Sequence, residues 1–202
     1  EVRGRSPRTR WLKRAAVAGC LAPVVWLGGR LAIVGPGTNP VADVLNFLGL
    51  WTLILLLASL GCTPLQIVLG WTWPQKIRKT LGLGAFFYGL AHFAVYLGVD
   101  QFFDFAEIWT DLTTRKFITV GFAALLLLVP LAVTSRSSMV KRLGWKRWKR
   151  LHRIVYLAAA LGVVHFLWRV KSDLREPLVY GGVLTLLLAI RVVAWLRGRL
   201  PA

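Results

Sequence analysis

Three histidines are the residues best able to do chemistry in this chain, and all of them lie in or beside long apolar runs. His92 falls within the run GLGAFFYGLAHFAVYLGV, while His152 and His165 bracket the run RIVYLAAALGVV. An imidazole at membrane depth is costly unless it has a partner. Because neutral imidazole is a common metal ligand and an axial ligand of haem iron, the pattern indicates histidines that hold a cofactor.

The spacing of His92 and His165 is matched. Each lies eight residues before an aspartate, Asp100 and Asp173 respectively. On two parallel helices, this spacing places both imidazoles roughly 12 Å below those carboxylates. Two imidazoles at equal depth can hold one metal centre between them, and a bis-histidine haem is flat and apolar enough to fit between helices. The alternative is hydrogen bonding between helices without a cofactor.

His152 does not share that arrangement. It lies thirteen residues before His165, which on a straight helix is about 20 Å along the axis and about 140° around it. The predicted span must therefore bend, or His152 must face another groove. His152 could ligate a second haem that lacks a histidine partner, contact a quinone or flavin, or be an interfacial histidine beside Arg150 and Arg153.

The elements that position these residues are membrane helices. Of the 202 residues, 56% are hydrophobic and 17% are charged, against about 25% charged in soluble domains. The apolar residues form six blocks of the length needed to cross a bilayer. We predict an all-α, six-helix transmembrane bundle forming one domain over residues 1–202, with spans at about 11–34, 44–62, 81–99, 117–134, 152–170 and 178–196. The first block is too long for a signal-peptide core, so we expect it to be a retained span.

The charged residues are segregated by loop. Bases dominate the N-terminal tail, the loops after the second and fourth blocks, and the C-terminal tail: Arg3, Arg5, Arg8, Arg10, Lys13, Arg14, Lys76, Arg78, Lys79, Arg136, Lys141, Arg142, Lys146, Arg147, Lys149, Arg150, Arg197 and Arg199. Seven of the eight acids fall in the other loops: Asp43, Asp100, Asp104, Glu107, Asp111, Asp173 and Glu176. The bias predicts that both termini are cytoplasmic. It also indicates that the net charge of +18 reflects the membrane topology and not the binding of nucleic acid.

Several charged side chains are candidates for binding anionic parts of cofactors. Arg30 and Arg169 lie near the outer ends of their blocks and could pair with haem propionates. Arg78 and Lys79, with Arg150 and Arg153, could bind a flavin or nucleotide phosphate at the inner face. The alternatives are snorkelling for Arg30, Arg169 and Arg191 and a solvated basic cluster at the inner face.

Two aromatic segments border the predicted spans. Trp145 and Trp148 lie among bases in LGWKRWKRLHR and are typical of interfacial anchors. The segment QFFDFAEIWTDLTTRK combines aromatic and acidic residues and predicts a short amphipathic helix at the outer interface or a docking surface. Cys20 and Cys62 are far apart in the sequence, and we interpret them as packing residues.

The run around the last two histidines resembles a known family. Its most specific residues are Trp148, Leu151, His152, Arg153, Tyr156, His165 and Phe166. Together with PLQIVLGWTWPQKIRKTLGLGAFFYGLAHF, it resembles the MsrQ (YedZ) family of haem-binding membrane subunits in the ferric-reductase-like group. The resemblance covers nearly the whole chain.

The resemblance implies haem b as cofactor, with His92, His152 and His165 as ligand candidates, and FMN as a second candidate cofactor. It implies a bacterial inner-membrane protein that takes electrons from the quinone pool or a cytosolic flavin reductase. The electrons would pass to a periplasmic molybdopterin reductase of the MsrP type, which reduces methionine sulfoxide. The chain has no Gly-rich nucleotide fingerprint, so NAD(P)H chemistry would need another protein. The alternatives are a self-contained ferric or metal reductase and a cofactor-free six-span transporter.

Overall fold

A computed structural model of the chain describes residues 7–170 and 172–198. Within these residues it is helical, without strands. The helices are α1 (Pro7–Ile33), α2 (Pro40–Leu69), α3 (Trp73–Val95), α4 (Phe105–Thr114), α5 (Lys116–Val133), α6 (Ser137–Leu143), α7 (Trp145–Leu151), α8 (Val155–Arg169) and α9 (Arg175–Leu196). A π-helical turn, Tyr96–Asp100, extends α3, and a 3₁₀ turn, His152–Ile154, joins α7 to α8.

The prediction of six membrane spans is confirmed. Six helical segments are long and apolar enough to cross a bilayer: Pro7–Ile33, Pro40–Leu69, Trp73–Asp100, Lys116–Val133, Trp145–Arg169 and Arg175–Leu196. The short helix predicted from the aromatic and acidic segment is also present, as α4. Arg3, Arg5, Lys171 and Arg199 lie outside the described residues, so their part of the charge pattern stays a prediction.

Three predicted spans have ends that differ by seven or eight residues from those expected. The third was expected to begin near residue 81, but α3 begins at Trp73. The second was expected to end near residue 62, but α2 continues through Pro64 to Leu69 and ends at Gly70, whose φ of 69° is left-handed. The fifth was expected to begin at His152 as one regular helix. Instead, helical structure begins at Trp145, and the 3₁₀ turn at His152 interrupts it. A 3₁₀ turn has a tighter winding, so the estimate made for a straight helix does not apply.

The described residues form two compact units. One consists of residues 7–85 with 187–198, and the other of Phe86–Leu186. The boundaries fall inside α3 and α9, so each of these helices contributes to both units. The prediction of a single domain over residues 1–202 stays a prediction.

In the first unit, α2 continues through a proline because a cation replaces the lost hydrogen bond. Pro64 has no N–H, so the carbonyl of Leu60 loses its usual donor four residues on. Arg191 of α9 is buried and donates from Nη2 to that carbonyl, and from Nη1 to the Leu187 carbonyl at 3.1 Å. Snorkelling, the simpler expectation for Arg191, is therefore wrong.

In the second unit, α5 and α8 pack closely against each other. Ala158 and Ala159 of α8 are fully or almost fully buried, and Ala124 and Leu128 of α5 are also buried. Small residues let helix backbones approach closely where bilayer lipid provides no hydrophobic drive for association. This packing carries His165 on α8 to the first turns of α5.

Candidate functional site

His92 and His165 are neighbours in the second unit. Their ring centroids are 6.2 Å apart, and the ring planes are inclined at 84°. His92 is carried by α3 and His165 by α8, and both side chains are half-buried. The sequence predicted this pair from matched spacing along two parallel spans, and the structure brings the two rings together.

A hydrogen bond fixes the tautomer of His165. Its Nδ1 lies 2.7 Å from the carbonyl oxygen of Phe117, in the first turn of α5. A carbonyl can only accept, so Nδ1 carries the proton and donates. In the neutral ring, Nε2 then keeps its lone pair, the arrangement typical of metal-binding histidines, whose other nitrogen usually donates to a carbonyl or carboxylate.

Gly121 makes room for the His165 ring. A Cβ added at this glycine would lie 2.5 Å from Nδ1 and 2.8 Å from Cε1 of His165, which real side chains do not tolerate. The ring therefore lies directly on the backbone of α5, one turn after the carbonyl that orients it. The sequence analysis missed Gly121, and it also missed Phe117. The only available signal was a glycine within an apolar helix, which usually has a packing reason.

The distance between the two rings fits a metal held between them. With a metal–nitrogen bond of about 2 Å on each side and about 1.1 Å from each ring nitrogen to its ring centre, two imidazoles that held one metal from opposite sides would have centroids about 6.2 Å apart. The observed 6.2 Å agrees. A haem iron needs only two protein ligands because the porphyrin supplies the other four. The residues present therefore fit a bis-histidine haem.

A second set of contacts connects α3, which carries His92, with the start of α5, which orients His165. Asp111 of α4 is 1% exposed and accepts a hydrogen bond from the Tyr96 hydroxyl at 2.9 Å. It also pairs with Arg115 Nε at 2.9 Å and accepts from Gln101 Nε2 at 3.4 Å. Tyr96 lies one turn after His92, and Arg115 lies two residues before Phe117. Asp111 thus connects α3, which carries His92, with the start of α5, whose Phe117 carbonyl orients His165.

The backbone between α3 and α4 has an uncommon conformation that favours the contact between Asp111 and Tyr96. Phe102 and Phe103 have φ values of 47° and 61°, a left-handed conformation that is uncommon for bulky residues. The π-helical turn just before them is a feature often found at functional sites. Together they turn the chain back, so that Asp111 reaches Tyr96.

His152 is held in a different cluster. Its Nε2 lies 3.0 Å from the Thr134 hydroxyl, and its ring stacks on Trp148 with centroids 4.0 Å apart. The Thr134 hydroxyl has one proton and donates it to the Pro130 carbonyl at 2.6 Å. His152 Nε2–H is therefore the donor to Thr134, and only Nδ1 keeps a lone pair. That His152 binds a metal stays a prediction. The metal would bind Nδ1, or the hydrogen bond from Nε2 to Thr134 would have to break.

The arginines and lysines that were predicted to contact cofactors lie in both units. Arg169 is half-buried one turn after His165, with its guanidinium 5.7 Å from the centre of the Phe166 ring. Arg153 is exposed and lines a groove with Arg150. In the first unit, Arg30 is exposed in the last turn of α1, Lys79 is exposed on α3, and Arg78 donates to the Thr63 hydroxyl at 3.4 Å.

Comparison with known proteins identifies the family. Residues 45–163 match the family described as ferric reductase like transmembrane component. A protein of Rhodospirillum rubrum is 53% identical over 95% of this chain and 92% of its own length, and one of Deinococcus radiodurans is 50% identical over 87% and 86%. A Caulobacter vibrioides protein is 43% identical over 86% and 82%. All three are named protein-methionine-sulfoxide reductase heme-binding subunit MsrQ. With its six spanning helices and its paired histidines, the chain belongs to the MsrQ family of the ferric-reductase-like membrane proteins.

Proposed function

We propose that this protein is a haem b-binding electron-transfer subunit of a methionine sulfoxide reductase system. The observation that carries the proposal is the His92–His165 pair, with centroids 6.2 Å apart and His165 oriented by the Phe117 carbonyl. Bound haem supplies a one-electron carrier whose potential depends on its axial ligands and surroundings. The names of the relatives, which describe a heme-binding subunit, support the same assignment.

The chain's own residues hold and insulate the redox centre. A haem iron held by both His92 and His165 would keep no coordination position open for a substrate or oxygen. Gly121 and the Phe117 carbonyl set the orientation of His165. We propose that Arg169, which is half-buried one turn further along α8, pairs with a haem propionate. This arrangement favours an electron carrier over a self-contained ferric reductase, which must bring its substrate to the redox centre.

The charge pattern supports a membrane orientation, and the proposed direction of electron transfer rests on that orientation. We propose a bacterial inner-membrane location with both termini cytoplasmic, because the basic loops lie on the side of the termini. Electrons would enter there from quinol or a reduced flavin and leave on the acidic side to a periplasmic molybdopterin reductase of the MsrP type. FMN and quinone remain candidate cofactors on the entry side, with Arg78, Lys79 and Arg153 as their predicted contacts.

Haem content of purified histidine variants tests the assignment. We expect about one haem per chain in the wild type, and loss of most of the Soret absorbance in His92→Ala and His165→Ala. His152→Ala is the matched control, because it removes an imidazole of the Thr134–Trp148 cluster, and it should keep its haem. A wild-type protein that folds and carries no haem would refute the proposal, and equal haem loss in all three variants would refute the choice of ligands.

A reconstituted system tests the partner. Dithionite-reduced protein should be reoxidised by a periplasmic molybdopterin reductase in the presence of methionine sulfoxide, and the His92→Ala variant should not support this turnover. Reoxidation by ferric citrate at the same rate without the partner would instead favour a self-contained metal reductase.

A further inference from the structure

A basic groove lies where α7 leads into a membrane span. Five exposed residues line it and enclose about 320 Å³: Trp145, Lys146, Lys149, Arg150 and Arg153. Their positions follow the spacing i, i+1, i+4, i+5 and i+8, which is one face of a helix. The groove is separate from the histidine pair, and one of its residues, Arg153, is also a predicted contact of FMN or quinone.

The charges of the groove are not balanced within their region of the chain. Residues 136–153 contain eight bases, and the sequence from 112 to 172 contains no Asp or Glu. Lys146 with Arg150, and Lys149 with Arg153, are like-charge pairs at i,i+4, a spacing at which like charges destabilise a helix. Such a face gains free energy when an anion binds.

The geometry of the groove favours a phosphate group over a flat planar ligand. Four cations converge from a single helical face, so the groove is open along its sides and cannot enclose a ring system. Lysine and arginine are the usual partners of phosphate. Trp145 forms one end, stacked on Trp148 with centroids 5.2 Å apart.

The position of the groove identifies the source of the phosphate. The segment Trp145–Arg169 is long and apolar enough to span a bilayer, and the groove occupies its first residues. These residues lie at headgroup depth, where tryptophan is enriched and basic pockets bind anionic lipids. An acyl chain attached to the bound phosphate can follow the apolar side chains of α8, whereas a soluble phosphate has no such continuation.

We propose that this groove is a binding site for the phosphate of an anionic phospholipid headgroup. The rings of Trp145, Trp148 and His152 stack in that order, with centroid distances of 5.2 and 4.0 Å. His152 in turn contacts Thr134, so the stacked rings link the groove to the end of α5. Trp148 also donates from its indole nitrogen to the Thr134 carbonyl at 2.9 Å. Lipid bound in the groove therefore stabilises the junction of α7 and α8 against the end of α5.

Native mass spectrometry of the haem-loaded full chain in detergent tests this site. Dioleoylphosphatidylglycerol and dioleoylphosphatidylcholine are titrated onto the wild type and onto the groove variant K146Q/K149Q/R150Q/R153Q. The control variant R136Q/K141Q/R142Q/R147Q removes the same charge from the same region outside the groove. We expect the wild type and the control to prefer phosphatidylglycerol by about tenfold, and the groove variant to lose that preference.

Three outcomes would overturn the proposal. Equal binding of both lipids to the wild type would exclude a headgroup site, and an equal loss in the control would assign the preference to general charge. Displacement of phosphatidylglycerol by inorganic phosphate or FMN at constant ionic strength would assign the groove to a soluble phosphate. The double variant K149Q/R150Q, with its helicity checked by circular dichroism, covers the case in which the quadruple variant does not fold, and it should lose most of the preference. Because lipid binding is read by mass and haem by absorbance, failure of this proposal is distinguishable from failure of the proposed function.

Discussion

At the residue scale, haem binding depends on how the His165 imidazole is held. Two features of α5 hold this ring near its Nδ1: the Phe117 carbonyl and the backbone at Gly121. Sequence spacing could predict that His92 and His165 share a depth, because a helix has a constant rise. It could not predict Phe117 or Gly121, because their roles depend on how closely α5 and α8 approach.

Gly121→Ala should weaken haem binding without unfolding the protein. The new methyl group overlaps the His165 ring, and overpacking of this kind costs about 1–3 kcal/mol, which corresponds to about 5- to 150-fold in haem affinity. Haem transfer to apomyoglobin, followed by absorbance, measures the affinity. Gly182→Ala on α9 is the control, because a Cβ there meets nothing within 4 Å. Equal haem affinity in both variants would contradict the role of Gly121.

Thr134→Val should leave the haem spectrum unchanged and lower stability. The substitution removes the oxygen that accepts from His152 Nε2, which leaves a half-buried donor without this partner and costs about 1–3 kcal/mol. The Soret position and the thermal unfolding midpoint report the two effects separately. A shifted Soret band would show that His152 is an iron ligand, in disagreement with our assignment of this residue to the Trp148 cluster.

At the element scale, α3, which carries His92, and α5, which orients His165, are connected through α4. The amphipathic helix α4 was predictable from its aromatic and acidic pattern, and its N-cap, Asp104, accepts from the N–H groups of Ala106 and Glu107. The burial of Asp111 on its inner face was not predictable. In a segment with three acids, a carboxylate resembles a solvated charge, and only the left-handed conformation of Phe102 and Phe103 shows that the chain turns it inward.

Asp111→Asn should loosen the connection between α3 and α5. The neutral amide loses the ion pair with Arg115 and weakens the bond from Tyr96, and Arg115 is more than half exposed, so the expected loss is about 1–2 kcal/mol of stability. Haem should dissociate faster, because α3, which carries His92, and the start of α5, which orients His165, lose a shared contact. The control is Asp104→Asn, since Asn is an equally good N-cap. If the two variants released haem at the same rate, the connection through Asp111 would have no specific role.

Arg191→Met should destabilise the first unit unless Pro64 is also replaced. The methionine leaves the Leu60 carbonyl without a donor, at a cost of about 1–3 kcal/mol. In a Pro64→Ala background, residue 64 regains its N–H and can supply that donor, so the cost of Arg191→Met should be smaller. A double-mutant cycle measured by denaturant unfolding gives the coupling free energy. A coupling free energy of zero would show that Arg191 does not compensate for the hydrogen bond lost at Pro64.

At the scale of the whole molecule, hydrophobicity and charge determine most of what the sequence could predict. Six apolar blocks gave six spanning helices, because a bilayer leaves a backbone few alternatives to the helix. Their ends were less predictable. The second span was expected to end near residue 62, but α2 continues through Pro64, with Arg191 donating to the carbonyl of Leu60. The 3₁₀ turn that interrupts the fifth span at His152 coincides with contacts of His152 to Thr134 and Trp148.

Membrane orientation can be tested on the whole chain. The basic loops predict that both termini and the α7 groove are cytoplasmic, while α4 faces the periplasm. Alkaline phosphatase fused after Thr114 should be active, and fused after Leu196 it should be inactive. The reverse activities would invert the proposed direction of electron transfer and place the groove on the outer leaflet.

Electron paramagnetic resonance of the oxidised, haem-loaded protein tests the central claim most directly. Two axial imidazoles with planes near 84° leave the iron π orbitals nearly degenerate, so we predict a strongly anisotropic low-spin ferric signal. His92→Ala and His165→Ala should each convert any retained haem to a high-spin signal, while His152→Ala should leave the low-spin signal intact. A high-spin signal in the wild type, or loss of the low-spin signal in His152→Ala alone, would contradict an iron held between His92 and His165.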